Sequence, residues 1–133
     1  MLSYHCPTLR VLVVDDHELT RFSLKLALSG QKNIELVGLA SNGREAIEMV
    51  ERYHPDVVIL DLQMPVMDGL SASSHIKSLD PNTQIIAYSS VEDPQIEVMS
   101  QTAPIDVFCK KDTETKDLIN LVKQLGTRND STA

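Results

Sequence analysis

The stretches Leu9-Arg-Val-Leu-Val-Val14 and Val57-Val-Ile-Leu60 decide the fold. Each is a short β-rich apolar run without polar alternation, and each is followed at once by an aspartate, Asp15 and Asp61. A strand with one face in water alternates, so a strand that does not is covered on both faces, as in a parallel sheet flanked by helices. Residues 34–40, 84–88 and 105–110 read as three more strands, interrupted by polar positions. Helical periods lie between them: Leu19, Phe22 and Leu26 mark the apolar face of the first helix, and Ala46, Met49, Val50 and Tyr53 that of the second. Asn42 with Glu45 three residues on predicts a capping box, and Asp93 before Pro94 predicts an N-cap with proline at the first helical position. A third helix is expected from about residue 68 to 79, a short fourth from 94 to about 102, and a fifth from 113 to 125, with Leu118, Leu121, Val122 and Leu125 along one face. A strand–helix unit repeated five times through short connections predicts a doubly wound α/β sheet.

The whole chain is 133 residues, enough for one domain with a real core and too short for two. Charged residues make up 23% and apolar residues 42%, which argues against disorder and against a disulfide scaffold. Twelve basic against nineteen acidic side chains leave a net charge of −7, so binding nucleic acid by neutralising phosphates is not expected. The longest aliphatic runs fall far short of the about 20 residues of a membrane span, and the first ten residues hold no apolar stretch of signal-peptide length. A cytoplasmic protein is therefore expected. Cys6 and Cys109 have no metal-ligand spacing and read as reduced thiols, Cys109 in the core. Residues 126–133 are small and polar; with Gly126 as the stop of the last helix, they read as a tail or the start of a linker.

In a doubly wound sheet, ligands bind outside the carboxyl ends of the strands, where the strand order reverses. Asp15 and Asp16 end the first strand, Asp61 the third, Ser89 and Ser90 follow the fourth, and Lys111 ends the fifth. Singly, each has a plain structural role: Asp16 as a helix cap, Asp61 as a turn residue before Met64-Pro65, Ser89 as a loop hydroxyl, Lys111 as a solvated strand end. Together they do not, because carboxylates about 4 Å apart repel by about 4 kcal/mol per pair at an effective dielectric of about 20. A hard divalent cation such as Mg²⁺, which takes one or two carboxylates and a phosphate oxygen, would neutralise them. A carboxylate nucleophile, a metal, a lysine and a hydroxyl equip a pocket for phosphoryl transfer, with Asp61 as acceptor.

The blocks Val11-Leu-Val-Val-Asp-Asp-His17, Val57-Val-Ile-Leu-Asp-Leu-Gln-Met-Pro-Val-Met-Asp-Gly69, Ile85-Ile-Ala-Tyr-Ser-Ser90 and Phe108-Cys-Lys-Lys-Asp112 resemble the receiver domains of two-component response regulators. The spacing is similar too: 45 residues from Asp16 to Asp61, 28 to Ser89 and 22 to Lys111. The Asp-Asp-His opening looks most like the NarL/FixJ branch, whose members usually carry a carboxy-terminal helix-turn-helix. The resemblance covers residues 9–125 and implies a single flavodoxin-like (CheY-like) domain with five parallel strands in the order 2-1-3-4-5. It implies phosphorylation of Asp61 by a histidine kinase, a phosphotransfer protein or a small phosphodonor. Asp15, Asp16, Asp61 and the backbone carbonyl of Gln63 would hold Mg²⁺, and Lys111 would pair with the phosphoryl group. Ser89 would turn its hydroxyl to the phosphoryl oxygen, and Phe108 would be the switch aromatic that follows it inward. Lys110 is assigned no role. The output would be a protein contact, made with a downstream protein or with an output domain outside this chain, and the resemblance leaves open a homodimer formed on phosphorylation.

This sequence also departs from the pattern. Phe108 lacks a phenolic hydroxyl, so its switch would rest on packing, and the segment 102–106 lacks the usual Gly-Ala and carries Pro104. In the family, the residues two after the acceptor and two after the Ser/Thr orient or block attacking water; here they are Gln63 and Val91, and valine donates no hydrogen bond, so a longer-lived phosphoryl group is expected. His5, His17, His54 and His75 show no metal-ligand spacing, and His17 reads as an early helix residue. Met64, Met67 and Met99 read as packing or turn residues, and single Gly43 and Gly69 do not make a phosphate cradle. Two other readings stay open: a metal-dependent phosphatase using Asp61 as nucleophile, for which neither a substrate cap nor a spare general acid is visible, and a receiver-like scaffold that is never phosphorylated.

Overall fold

In β1 (Leu9–Val14) successive side chains enter different cores. Val11 and Val13 join Val57 and Ile59 of β3 (Val57–Asp61) on one side of the sheet, while Leu12 and Val14 join Val58 and Leu60 on the other. All eight are at most 1% exposed, the condition that an unalternating apolar run anticipates. The computed structural model describes residues 8–64, 67–89 and 104–130, the last four by backbone alone. Its further elements are α1 (Glu18–Ser29), β2 (Ile34–Ala40), α2 (Gly43–Tyr53), α3 (Gly69–Leu79), β4 (Gln84–Ser89), β5 (Val107–Lys110) and α4 (Thr115–Asp130). The five strands are parallel in the order β2-β1-β3-β4-β5, as expected, with a register shift in β2 opposite Val11/Leu12. The helix expected at 94–102, and with it Val91, Cys6 and His5, lies outside the described residues.

Leu118, Ile119, Val122 and Leu125 of α4 and Leu24 and Leu28 of α1 cover one face; Ala46 and Val50 of α2 and Ala72 and Ile76 of α3 cover the other. Asn42 caps α2 as expected, accepting from Glu45 N–H at 2.9 Å, while the Glu45 carboxylate reaches one residue further back than in a capping box and accepts from Ser41 N–H at 2.7 Å. Asp68 caps α3, accepting from Ser71 N–H at 2.8 Å.

Two expectations need correcting. The face of α1 marked by Leu19, Phe22 and Leu26 is the outer one: these side chains are 81%, 55% and 61% exposed. Leu24 and Leu28, four residues apart, make an equally valid helical stripe, and theirs is the one that meets the sheet. Gly126 does not stop the last helix, which runs on to Asp130. A β-carbon at Gly126 would sit 2.1 Å from Leu9 Cδ2, so this glycine lets the helix pass close over the start of β1.

Candidate functional site

The carboxyl ends of β1 and β3 are adjacent, and they bring Asp15, Asp16 and Asp61 together. Asp15 is held on both sides of its peptide: its N–H donates to Ala40 O at 3.0 Å, and its carbonyl accepts from Arg21 Nη1 at 2.7 Å. Its carboxylate Oδ1 accepts from His17 N–H at 2.8 Å. Asp61 Oδ1 accepts from Gln63 N–H at 3.1 Å. Behind Asp61, α3 begins at a glycine whose added β-carbon would lie 2.3 Å from Asp61 O, so Gly69 lets the helix start directly against the acceptor strand. The blocks read from the sequence include Gly69, but reading it only as a missing phosphate cradle overlooks this close approach.

Lys111 reaches in from beyond β5. Its N–H donates to Ser89 O at 2.9 Å, and its ammonium lies 2.7 Å from Asp15 Oδ2 and 3.5 Å from Asp61 Oδ2. Lys110, one residue earlier, is exposed. The Lys111 ammonium also stands 5.7 Å from the centre of the Tyr88 ring. Ser89 is buried at the end of β4, paired in register with Lys110, and Phe108 is half-buried on β5 opposite Ala87.

The electrostatics of the cluster are unbalanced. Three carboxylates face one ammonium, and burial pushes the Asp61 carboxyl up from its ordinary 3.8 to about 6. The neighbouring Asp15 charge and a hydrogen bond with Asp16 raise it further, while the Gln63 N–H and the Lys111 charge hold it back. Asp15 Oδ2, Asp16 Oδ1 and Asp61 Oδ2 are buried atoms to which no hydrogen-bond donor is aligned, the nearby Lys111 charge notwithstanding. Ligand atoms from Asp15, Asp16, Asp61 and His17 all fall within 4.8 Å of one another. The donor set suits a divalent cation, which would satisfy orphaned oxygens and offset charge at once.

His17, read from the sequence as an early helix residue rather than a ligand, also stands beside the acids. It is the N-cap residue of α1, with no capping bond from its side chain, and its Nδ1 lies 3.0 Å from both Asp15 Oδ1 and Asp16 Oδ1. The only available signal was its place directly after the acid pair on a strand-to-helix turn.

Residues 11–123 match the family described as the response regulator receiver domain. The response regulator protein VraR of Staphylococcus aureus is 36% identical over 118 residues, covering 88% of this chain and 56% of VraR. The chain thus spans about half the length of the curated relatives it matches. Among solved structures, the signal receiver domain of the response regulator NarL from Mycobacterium tuberculosis superposes with a TM-score of 0.85 at 30% identity, covering 91% of this chain and 98% of that one. The CheY-like receiver domain protein of Methanospirillum hungatei shares the fold, with a TM-score of 0.86 at 21% identity over 95% of this chain and 99% of that one.

Proposed function

The chain belongs to the receiver domains of two-component response regulators, a family phosphorylated on aspartate, and we propose that Asp61 is its phosphoacceptor. The observation that carries this reading is a carboxylate, 2% exposed at the end of a central strand, with a lysine ammonium 3.5 Å from one oxygen and two further acids beside it.

One Asp61 oxygen forms a bond to phosphorus as the donor's bond breaks, to an imidazole nitrogen of a histidine kinase or phosphotransfer protein, or to the acetate oxygen of acetyl phosphate. Asp15, Asp16, Asp61 and the Gln63 carbonyl would hold Mg²⁺, which when bound would neutralise charge on the phosphoryl oxygens. Lys111 pairs with the transferred group, so its partnership shifts from Asp15 and Asp61 toward the new phosphoryl oxygens. Ser89 donates its hydroxyl to the same group, and Phe108 follows into the space this frees, by packing alone. The displaced surface carries the signal to a downstream protein, to a helix-turn-helix domain outside this chain, or to a second phosphorylated copy. The acid excess of the chain makes direct nucleic-acid contact by this part unfavourable. Among the described residues, no helix is long and apolar enough to cross a membrane, in keeping with a cytoplasmic regulator.

Intact mass after incubation with acetyl phosphate and Mg²⁺ tests the proposal. A single added phosphoryl group that requires Mg²⁺ and is lost in Asp61→Asn is expected. Turnover of phosphodonor without accumulation would favour a phosphatase, and neither uptake nor turnover would mean a scaffold.

A further inference from the structure

We propose that the imidazole of His17 is a further metal ligand of the carboxylate cluster, making it a site for Zn²⁺ as well as for Mg²⁺. The proposal rests on the cation reading of the same carboxylates and adds a residue and an ion class to it.

The His17 backbone is anchored, its N–H donating to Asp15 Oδ1 at 2.8 Å, and its φ of −91° and ψ of 117° set it just outside α1. From there the side chain could turn back to cap the helix, but it does not. Nδ1 instead stands 3.0 Å from an oxygen of Asp15 and 3.0 Å from an oxygen of Asp16. Zn²⁺ binds imidazole nitrogen at about 2.0–2.1 Å and carboxylate oxygen at about 2.0–2.2 Å, so two atoms on one ion sit no more than about 4.2 Å apart. The His17 contacts already meet that limit, and the widest separation among the four donors, 4.8 Å, exceeds it by an amount that small side-chain rotations close. Lys111 already faces Asp15 Oδ2 at 2.7 Å, but the buried Asp61 Oδ2, 3.5 Å from that ammonium and with no donor aligned to it, points independently to a further cation at this place. The His17 side chain is 64% exposed, so an entering ion meets the imidazole on its way to the buried acids.

The two ions use this donor set differently. Mg²⁺ is hard, keeps waters and takes oxygen ligands, so a nearby imidazole adds little to its binding. Zn²⁺ is softer, favours nitrogen, and is satisfied by four protein ligands. Bound by Asp15, Asp16, Asp61 and His17, it leaves no open position for a phosphoryl oxygen. Zn²⁺ therefore competes with Mg²⁺ and blocks phosphoryl uptake.

Zn²⁺ affinity, measured by competition with a chromophoric chelator on the full chain and on His17→Gln with and without saturating Mg²⁺, tests the proposal, alongside Mg²⁺ affinity and the melting curve of each protein. Wild-type Zn²⁺ binding should be displaced by Mg²⁺ and weakened on the order of tenfold or more in His17→Gln. Mg²⁺ affinity should change less than about twofold, with folding intact. Equal Zn²⁺ affinity in the variant, Zn²⁺ that stays bound while the protein takes up Mg²⁺, or parallel loss of both ions would each overturn the proposal; the last would make His17 only a support for the carboxylates. Should wild type bind no Mg²⁺ while Zn²⁺ binding depends on both His17 and Asp61, the Mg²⁺ reading fails and the His17 ligand stands.

Discussion

Asp61 carries a charge that its surroundings resist. Its folded value, about 6 against an ordinary 3.8, means the folded protein holds a proton that the unfolded chain has released, so stability falls as pH rises through this window. In metal-free protein, Asp61→Asn should therefore raise Tm by several degrees at pH 7.5, and the gain should shrink as pH falls through about 6 and vanish near about 4. Thermal melts in EDTA across that range check it; a gain that does not depend on pH would show that desolvation of the charge is not the cause. Lys111→Ala removes the one ammonium that, among the described residues, reaches Asp15 and Asp61, so it should lower metal-free Tm at neutral pH and slow phosphoryl uptake. Val91→Glu should change the rate at which phosphate is lost after acetyl phosphate is removed, since a polar side chain engages water and valine does not; an unchanged rate would contradict the expected long lifetime. Asp15 and Asp61 were legible in the sequence because each directly follows an apolar run, and Lys111 because it stands just past the last strand in a block that resembles the receiver family. His17 was not, because its ligand set joins positions 17 and 61, and spacing rules for metal ligands see only neighbours along the chain.

At the scale of elements, periodicity located α1, α2 and α4, but it did not choose between two faces of α1. Leu19-Phe22-Leu26 and Leu24-Leu28 are both apolar at helical spacing, and the burial of the second is decided by how the sheet and α4 pack, which no local pattern contains. The difference is measurable: Leu28→Ala should destabilise by about 2–5 kcal/mol, whereas Leu26→Ala should cost less than about 0.5 kcal/mol in denaturant unfolding. Glycine was read in the same local way, and misread for the same reason. Gly126 looked like a helix stop, yet its role is clearance above Leu9, and Gly69 gives clearance against the Asp61 carbonyl. The boundaries of β1 and β2, the helix cap at Asn42 and the start of α3 near residue 68 follow from residues adjacent in sequence, and those were read closely.

For the whole molecule, the two unalternating runs were enough to require a sheet covered on both faces, whereas the strand order came from resemblance to a family rather than from composition or period. The acid excess is partly accounted for: three of nineteen acids gather at one end of the sheet. A cation bound there stabilises the folded state by mass action, so Tm should climb with Mg²⁺ concentration, and a flat response would remove the metal from the account. Bound Mg²⁺ and a phosphoryl group, roughly +2 and −2, leave net charge almost unchanged, so the signal lies in where charge sits rather than how much there is. The position of the phosphoryl group is therefore the central claim, and chemical trapping locates it. Borohydride reduces an aspartyl phosphate to homoserine, which peptide mass mapping after acetyl phosphate and Mg²⁺ treatment can place. Homoserine at position 61 alone, absent without Mg²⁺, is the predicted result; homoserine at position 15 or 16, or at none, would contradict it.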